Sequence, residues 1–540
     1  MKLFSNGRSL HRRRMRCSRL WSLALMVMLT GSVSACGSAQ SESVPSPVPT
    51  DSNLLFPDTS YASVGIIVYQ VDLFDSLTDG MPTNLDDLYG AAPGIFTFRG
   101  GAFRDAPFVG HVQGRPDTVS VDWCFSTGYD GRVTDYGVWG GGTGWTGQPL
   151  YVCWPDSCME RFRSEATHLT RHFSSKELIV GSLASRVYFI DFETGDSSRH
   201  SIAVHNPIKG TVSLDPTLNG NLYVGQGIPA SRPFGAMVVN LFQHKVTDFY
   251  PQDRKAWRGW GAYDSSPLRV GNFLFRPGEN GTIYKYSVVS DSLKLHSTLK
   301  FKTKGRNAAG MEASLAAYRN YGYISDNHGH VLCFNLATMQ PVWCYDNHDD
   351  SDASPVLAIE DGHPFLYTGS EVDKQGAGCC YVVKLDALTG ALVWEQRFDA
   401  GRGMMGEKKF DGGLFATPLL GRGNCEDMLF INVVTNAKPG MKGDFVALNR
   451  KDGSVCYRIQ QKRYAWSSPV ALLNENNEMF VFTADVQGRV YLYDAKRGET
   501  LLCQQVGLNF EASPIVVDNH VVIGSRGRKI YRLTVKQSHP

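Results

Sequence analysis

The sequence predicts an all-β protein, an eight-bladed β-propeller of four-stranded antiparallel blades that is closed by an N-terminal outer strand. Short runs of β-branched and aromatic residues alternate with Gly, Asn and Asp turns along the chain. A dipeptide that we call the mark, usually Ser or Thr followed by Pro, recurs roughly every 50 residues, which is the repeat length of four-stranded propeller blades. The last repeat lacks an outer strand, and a strand without a partner precedes the first repeat.

The stretch Ser467–Cys503 shows the repeat most clearly. Pro469–Leu473 is its inner strand, Met479–Thr483 the second, Val490–Leu492 the centre of the third and Thr500–Gln504 the outer strand. Such a small sheet has two apolar faces and no core of its own, so it is stable only between similar sheets.

Eight marks indicate eight blades. They are Gln148-Pro149, Leu214-Asp215, Ser266-Pro267, Ser314-Leu315, Ser354-Pro355, Thr417-Pro418, Ser468-Pro469 and Ser513-Pro514. The eighth repeat ends soon after Val535, before an outer strand can form. Val119–Thr127 precedes the first mark and is predicted to supply that strand, which removes the exposed edges of the ring.

The N-terminus predicts a lipoprotein. Residues 1–36 form a signal peptide in which arginines precede an apolar stretch, and Val33-Ser34-Ala35-Cys36 resembles a lipobox with Cys36 as the lipid attachment site. Met15 is a second candidate start. Residues 37–95 comprise a Ser/Pro-rich tether and an unplaced segment in which residues 66–74 have a strand pattern, and residues 96–540 form the propeller. The net charge of +2 gives no signal for nucleic-acid binding.

Two motifs resemble known families. The marks, the run from Asp386 to Trp394 (Asp-x-x-Thr-Gly-x-x-x-Trp) and the Phe-Arg-Gly segment at Phe98 resemble the repeats of pyrroloquinoline-quinone (PQQ)-type propellers. Asp350-Ser-Asp352-Ala-Ser-Pro355 is similar to the docking run of the lipoprotein subunit of the outer-membrane β-barrel assembly machine. This resemblance implies a non-catalytic, protein-binding scaffold without a cofactor, anchored in the outer membrane and facing the periplasm, with a barrel-assembly protein as its partner.

One repeat position predicts a binding surface. The position three residues before each mark's Pro, at the mouth of the inner strand, is acidic in four of eight repeats: it holds Thr146, Val212, Asp264, Glu312, Asp352, Phe415, Trp466 and Glu511. A ring of carboxylates in a funnel focuses a negative potential. Asp264, Glu312, Asp350, Asp352 and Glu511 are therefore predicted to bind a partner, with Asp350 and Asp352 on an exposed loop between blades.

Two other functions remain open. The vicinal pair Cys379-Cys380 favours a PQQ-dependent alcohol or sugar dehydrogenase, because such enzymes place a vicinal disulfide against the quinone. It falls on a predicted third strand, away from the funnel, and no set of Glu, Asn and Asp for the accompanying Ca²⁺ is recognisable, so no metal is predicted. A platform of Trp139, Trp145 and Trp154 favours glycan binding, whereas packing within blade one is the structural alternative.

Two cysteine pairs are candidate disulfides in an oxidising compartment. Cys153 and Cys158 are separated by four residues, and Cys333 and Cys344 lie across a predicted hairpin. The sequence leaves their pairing open.

Overall fold

The computed structural model describes residues 63–76, 86–165, 168–373, 377–405, 408–436 and 442–538. The predicted signal peptide, the lipid attachment site Cys36 and most of the predicted tether lie outside these ranges. Among the described residues, no helix has the length and apolar character needed to cross a membrane.

Eight small antiparallel sheets surround a central channel, so the predicted fold class is confirmed. The four strands of blades one to four, from the inner to the outer strand, are Leu150–Cys153, Lys176–Ser182, Arg186–Asp191 and Ile202–Ala203; Ser213–Leu214, Asn221–Gly225, Gly235–Asn240 and Lys245–Pro251; Leu268–Val270, Phe273–Gly278, Thr282–Val289 and Ser292–Thr303; Ala316–Tyr318, Tyr321–Ser325, His330–Asn335 and Pro341–Asp346.

Blades five to eight follow the same order. Their strands are Val356–Glu360, His363–Gly369, Ala377–Asp386 and Leu392–Gly401; Leu419–Leu420, Met428–Asn436, Lys442–Asn449 and Val455–Gln460; Val470–Leu473, Met479–Ala484, Arg489–Asp494 and Glu499–Gln505; Ile515–Val517, His520–Gly524, Lys529–Lys536 and Thr118–Ser126. Blade six carries two further short strands, Glu371–Val372 and Gly412–Gly413, and two hairpins stand apart, Asp130–Thr134 with Gly137–Gly140 and Gly403–Met405 with Lys408–Phe410.

Helices are few. The α-helices are Asp86–Gly90 and Asp156–Glu165, and the 3₁₀ helices are Val64–Ile66 and Gly423–Cys425. The helix Asp156–Glu165 lies between the first two strands of blade one and buries Cys158, Met159 and Phe162.

The N-terminal strand closes the ring as predicted. Thr118–Ser126, the closing strand, pairs antiparallel with Lys529–Lys536, so the outer strand of blade eight comes from the beginning of the propeller. Joining the beginning of the propeller to its last repeat in one sheet holds the ring closed, and the closing strand forms the outer edge of blade eight.

A second N-terminal strand, which the sequence left unplaced, joins blade three. Ile67–Leu73, the leading strand, pairs antiparallel with the outer strand Ser292–Thr303, with partners running from Ile67 opposite Thr303 to Leu73 opposite Ser297. Blade three therefore has five strands, and its outermost strand belongs to the leading segment rather than to the repeat.

The mark hydroxyls link neighbouring blades. The hydroxyl of each of Ser314, Ser354, Thr417, Ser468 and Ser513 accepts a hydrogen bond from the backbone N–H of the equivalent residue one blade earlier, at 2.8–3.3 Å. We call this set, together with Ser266, the hydroxyl ring. A small side chain is needed because the inner strands lie close together around the channel. The hydroxyl accepts the bond from a buried backbone N–H of the neighbouring blade, and the Pro that follows most marks has no N–H of its own to offer.

Aromatic side chains on outer strands join the blades at the periphery. Trp343 Nε1 donates to the Ala387 carbonyl at 3.1 Å, and Trp394 Nε1 donates to the Arg450 carbonyl at 2.9 Å. Each indole also covers a turn glycine of the next blade, where a Cβ atom would lie 2.6 Å from the ring. The sequence prediction that these tryptophans pack between neighbouring sheets is therefore confirmed.

Residues 94–112, which we call the plug, cross the channel and bond to blade after blade. Gly94–Ile95 pairs with the inner strand of blade one, and Gly110–His111 runs parallel to the inner strand of blade seven. Between them the carbonyls of Phe96, Ala102 and Phe103 accept hydrogen bonds from the inner strands of blades two, four and five.

The plug also buries two arginines. Arg104 donates from Nε to the Leu315 carbonyl at 2.8 Å and from Nη1 to the Phe98 carbonyl at 2.7 Å. Arg99 donates from Nη1 and Nη2 to the carbonyls of Pro469 and Pro418, at 2.8 and 3.3 Å. Three of these acceptors, Leu315, Pro418 and Pro469, are the second residues of marks, where the inner strands begin. The plug therefore closes one side of the channel.

Neither predicted disulfide forms, since all four cysteines are free thiols. Cys333 lies opposite Trp343 and Cys344 opposite Leu332, so the two side chains point to opposite faces of blade four and the prediction is wrong. Cys153 ends a strand, whereas the helix that follows turns the Cys158 thiol inward, 3.8 Å from the Leu218 carbonyl.

Candidate functional site

We call the other side of the channel the mouth; there the second strands end and the connections to the next inner strands arrive. Each repeat brings two residues to it, one three positions before the second residue of the mark (Pro in most repeats) and one just after the second strand. The predicted residues Asp264, Glu312 and Asp352 gather here, and they do so with acidic residues from the second position.

The first cluster consists of Asp264, Glu279 and Glu312, whose carboxylate oxygens lie within 4.8 Å of one another. The ammonium of Lys209 contacts Asp264 and lies 3.2 Å from Glu312 Oε2. Glu279 Oε2 accepts a hydrogen bond from Trp260 Nε1 at 2.7 Å. This cluster therefore contains its own cation, although the charge of one lysine does not balance three carboxylates.

The second cluster consists of Asp350, Asp352 and Glu371, with the same close spacing of oxygens. Asn327 Nδ2 donates to Asp350 Oδ1 at 3.1 Å and to Asp352 Oδ1 at 3.4 Å. Glu371 is 3% exposed, and its Oε1 accepts no hydrogen bond from the described residues. No basic side chain of the described residues pairs with Asp352 or Glu371, so this cluster differs from the first.

Burial and mutual repulsion favour the protonated form of these acids. Burial first, and then the charges of Asp352 and Asp350, raise the pKa of Glu371 well above its ordinary value. Burial, followed by repulsion from Glu312 and Asp350, does the same for the pKa of Asp352. Burial lowers the pKa of Lys209, but Asp264 and Glu312 outweigh it and raise that pKa well above the ordinary value.

The structure corrects the prediction of an exposed acidic rim. Asp264 and Asp352 are 1% and 9% exposed, and Asp350 is half-buried, so these groups are not on a solvated loop. Glu511 lies apart from both clusters, where its Oε1 accepts from Asn509 Nδ2 at 2.9 Å and Arg526 Nε lies 3.6 Å from its Oε2. Its side chain is 15% exposed.

Aromatic side chains fill the space between the mouth and the plug. Trp145 contacts Phe415 and Trp466 with ring centroids 5.8 and 5.9 Å apart. The cavity bounded by these rings, Glu312, Asp352 and the plug residue Phe98 has a volume of about 10 Å³. That is about the room of one water molecule, whereas drug-sized ligands occupy pockets of about 300–1,000 Å³.

The site therefore fits one half of a quinone centre and not the other. Asp350, Asp352 and Glu371 converge, and their carboxylate oxygens suit hard cations such as Ca²⁺, whereas Asn327 turns its amide nitrogen toward them. Sequence analysis did not find this set. However, the cavity beside this cluster measures only about 10 Å³, so the arrangement does not accommodate the cofactor.

Two sequence-predicted features lie elsewhere. Cys379 and Cys380 are free thiols on the third strand of blade five, paired opposite Asp399 and Phe398, and neither borders the cavity. Trp139, Trp145 and Trp154 do not form one platform: Arg526 lies 5.3 Å from the Trp139 ring, Trp145 lines the cavity, and Trp154 is buried in blade one with Nε1 donating to Glu177.

A hairpin projects beside the mouth. The mouth hairpin, Asp130–Thr134 with Gly137–Gly140, belongs to the connection between the closing strand and blade one. Arg132 Nη2 fixes it by donating to Ser185 Oγ at 3.0 Å and to the His205 carbonyl at 2.8 Å. Val133 is 81% exposed and Tyr136 56%, so a rigidly held hairpin presents apolar side chains to solvent.

Lys209, Glu279 and Glu371 are the residues that sequence reasoning missed. Glu279 directly follows the second strand of blade three, and Glu371 comes two residues after that of blade five. The sequence signal for both is an acidic residue just beyond the small residue that ends a second strand. Lys209 comes from the connection before blade two and shows no repeat signal.

The fold and repeats of the chain are those of PQQ-type propellers, which confirms the resemblance found in the sequence. Residues 327–539, less than half of the chain, match the family model described as outer membrane protein assembly factor BamB. No curated protein sequence matches the chain.

Solved structures that resemble the chain are distant in sequence. A europium-containing methanol dehydrogenase shares 13% identity, with a TM-score of 0.57 over 83% of this chain and 99% of that chain. A quinohemoprotein alcohol dehydrogenase from Comamonas testosteroni shares 12% identity, with a TM-score of 0.57 over 85% and 83%. BamB from Moraxella catarrhalis shares 14% identity, with a TM-score of 0.45 over 68% and 97%.

Proposed function

We propose that the chain is a non-catalytic, protein-binding propeller that is anchored to the outer membrane through a lipid on Cys36 and faces the periplasm. Its partner in this proposal is a protein of the outer-membrane β-barrel assembly machinery. The lipobox-like run ending at Cys36 supports the anchor, and the match of residues 327–539 to the BamB family model supports the partner class.

The observation that carries the non-catalytic assignment is the filled channel. A cavity of about 10 Å³ leaves no room for an organic cofactor between the mouth and the plug. The rings that fill it contact one another, so opening the space requires several side chains to move together.

The mouth hairpin supports a protein partner. Large apolar side chains that remain exposed on a rigid element are typical of interaction sites. The hairpin lies on the same side of the ring as the buried acidic residues, so an approaching protein meets an apolar edge next to the mouth.

A quinone- and cation-dependent oxidoreductase is the second candidate, because Asp350, Asp352 and Glu371 supply carboxylate oxygens of the type that a hard cation binds. In that case the aromatic rings must move apart when the cofactor binds. The two candidates therefore differ in what the channel accepts.

Photocrosslinking from position 133 in intact cells tests the proposal. We expect the crosslinked product to contain a barrel-assembly protein. When the crosslinker is moved to position 136, Val133→Asp should lower the yield of that product at least about tenfold, because the variant loses one well-placed apolar contact. Leu388→Asp is the matched control, since Leu388 is also exposed (39%) but lies on a turn remote from the mouth.

The opposite result is also defined. If the yield is unchanged in Val133→Asp, and if the purified protein binds PQQ with Ca²⁺ and oxidises an alcohol, the second candidate replaces the first.

A further inference from the structure

The leading strand (Ile67–Leu73) ends blade three with an outer edge that no described strand covers. Edge strands in soluble proteins are normally protected by Lys, Pro, a bulge or a covering element, because their free backbone groups pair with other chains. The sequence IVYQVDL contains no Lys or Pro, and its pairing with Ser292–Thr303 shows no register shift.

The hydrogen bonds at the two ends of this pairing show which backbone groups face outward. Lys304 N–H donates to the Ile66 carbonyl, and Phe74 N–H donates to the His296 carbonyl. Hydrogen-bonded pairs alternate in an antiparallel ladder, so the even-numbered residues of the leading strand bond to blade three. Tyr69, Val71 and Leu73 therefore point their N–H and C=O groups away from it.

These six outward groups have no hydrogen-bond partner among the described residues. They recur at every second residue of the strand. Only another β-strand has backbone groups at the spacing needed to form hydrogen bonds with all of them. The flanking side chains are apolar and exposed: Tyr69 is 42% exposed and Leu73 50%.

A groove of about 940 Å³ lies beside this edge, between the leading strand and residues 250–257, which end the outer strand of blade two and begin the connection to blade three. Its acidic groups have partners: Asp72 Oδ2 lies 2.7 Å from Lys300 Nζ, and Asp253 Oδ2 accepts from the Tyr284 hydroxyl at 2.9 Å. Arg254 and Lys255 are exposed and form no ion pair with the described residues, so the groove is left with positive charge.

We propose that the leading strand is a β-augmentation site, which binds an extended segment of another polypeptide as a sixth strand of blade three. Apolar residues of that segment continue the exposed apolar face of the leading strand. Acidic residues on alternate positions enter the groove beside Arg254 and Lys255. This surface is separate from the mouth, and the proposal does not depend on the function proposed above.

A fluorescent heptapeptide that alternates valine with glutamate tests the proposal against the full-length protein by anisotropy. Val71→Pro removes one outward N–H and keeps the bonds to blade three, because proline is tolerated where the N–H of an edge strand faces away from the sheet. We expect Val71→Pro to weaken binding at least about tenfold, and Val71→Thr, which keeps the N–H and the branched shape, to bind like the parent.

Charge reversal tests the groove. Arg254→Glu combined with Lys255→Glu should exchange the preference of the protein, so that a valine–lysine heptapeptide binds more tightly than the valine–glutamate one. The effect should be larger at low salt, since both side chains are exposed.

Residue-resolved hydrogen exchange provides an independent measurement. The amides of Tyr69, Val71 and Leu73 should exchange fast in the free protein and slow down with the peptide, whereas those of Val68, Gln70 and Asp72 should be slow in both. Protection of the odd-numbered amides without peptide would mean that the chain covers its own edge. A dimer that Val71→Pro abolishes would make a second copy the occupant. Either result, or equal peptide binding by Val71→Pro, overturns the proposal.

Discussion

The plug and the mouth both bury charged side chains in the same channel, on opposite sides of the hydroxyl ring. In the plug, all three nitrogens of the Arg104 guanidinium donate hydrogen bonds, chiefly to backbone carbonyls. At the mouth, Glu371 keeps an oxygen without a hydrogen bond from the described residues. One buried charge is surrounded by dipoles of the opposite sign, and the other lies among like charges.

This difference in hydrogen bonding shows which side of the channel stabilises the fold. Burial lowers the pKa of Arg104 to about 10, so the guanidinium stays protonated at neutral pH, and backbone carbonyls accept hydrogen bonds from all three of its nitrogens. Glu371 lies instead among carboxylates that, together with burial, raise its pKa, and keeping such a buried group ionised lowers stability. Proteins tend to retain such locally unfavourable arrangements at functional sites, so the mouth, and not the plug, is the side expected to bind.

The largest expected effect comes from Arg104→Ala. It removes the donor from four acceptors on the plug and on blades three and four, and it leaves the buried carbonyls of Leu315 and Phe98 without that partner. The loss of a buried, multiply bonded cation costs about 3–5 kcal/mol, so the urea midpoint should fall substantially.

Arg104→Lys provides the control for charge alone. A lysine keeps the positive charge but cannot reproduce the fork of the guanidinium, so it should restore less than half of the lost stability. Full restoration by lysine would show that charge, and not the hydrogen-bond geometry of the plug, stabilises the ring.

The plug also shows where sequence reasoning ends. The marks predicted eight blades because a short local pattern repeats, and the missing strand of blade eight predicted ring closure. Phe98-Arg-Gly was recognised only as a resemblance, since Arg99 donates to the carbonyls of Pro418 and Pro469, more than 300 residues away. No local periodicity encodes such contacts.

The mouth was predicted in part for the same reason. The position before each Pro located Asp264, Glu312 and Asp352 because it recurs within the repeat. The prediction that these acidic residues are exposed was wrong. Lys209 and the acidic residues that follow the second strands pack against them, and the repeat pattern does not show those contacts. The leading strand had a clear strand pattern, but its partner Ser292–Thr303 is more than 200 residues distant.

Glu371→Gln tests the mouth with an intermediate effect of opposite sign. The pKa of Glu371 is raised in the folded state, so the native protein binds its proton more tightly than the unfolded chain. That stability is present below the ordinary pKa of Glu and is lost as the pH rises through the raised value. Glutamine stays neutral, so the variant should be more stable than the parent at pH 8, by about 1–3 kcal/mol.

At pH 4 the two proteins should have nearly the same free energy of unfolding, because Glu371 is then protonated. Chemical denaturation at several pH values measures the difference. A variant that is less stable than the parent at pH 8 would show that the Glu371 carboxylate has a stabilising cation, and the comparison with the plug would fail.

Glu511→Gln should have the smallest effect, although Glu511 occupies the same repeat position as Asp264, Glu312 and Asp352. Burial raises the pKa of Glu511, but Arg526 and the hydrogen bond from Asn509 oppose that rise, and no second carboxylate among the described residues repels its charge. Exposed or partly exposed pairs of this kind contribute about 0–1 kcal/mol. We expect the urea midpoint to change little between pH 5 and pH 8, whereas the midpoint of Glu371→Gln changes with pH relative to the parent. Equal pH dependence in both variants would mean that burial at the mouth, and not the crowding of carboxylates in the second cluster, sets the stability of this side of the channel.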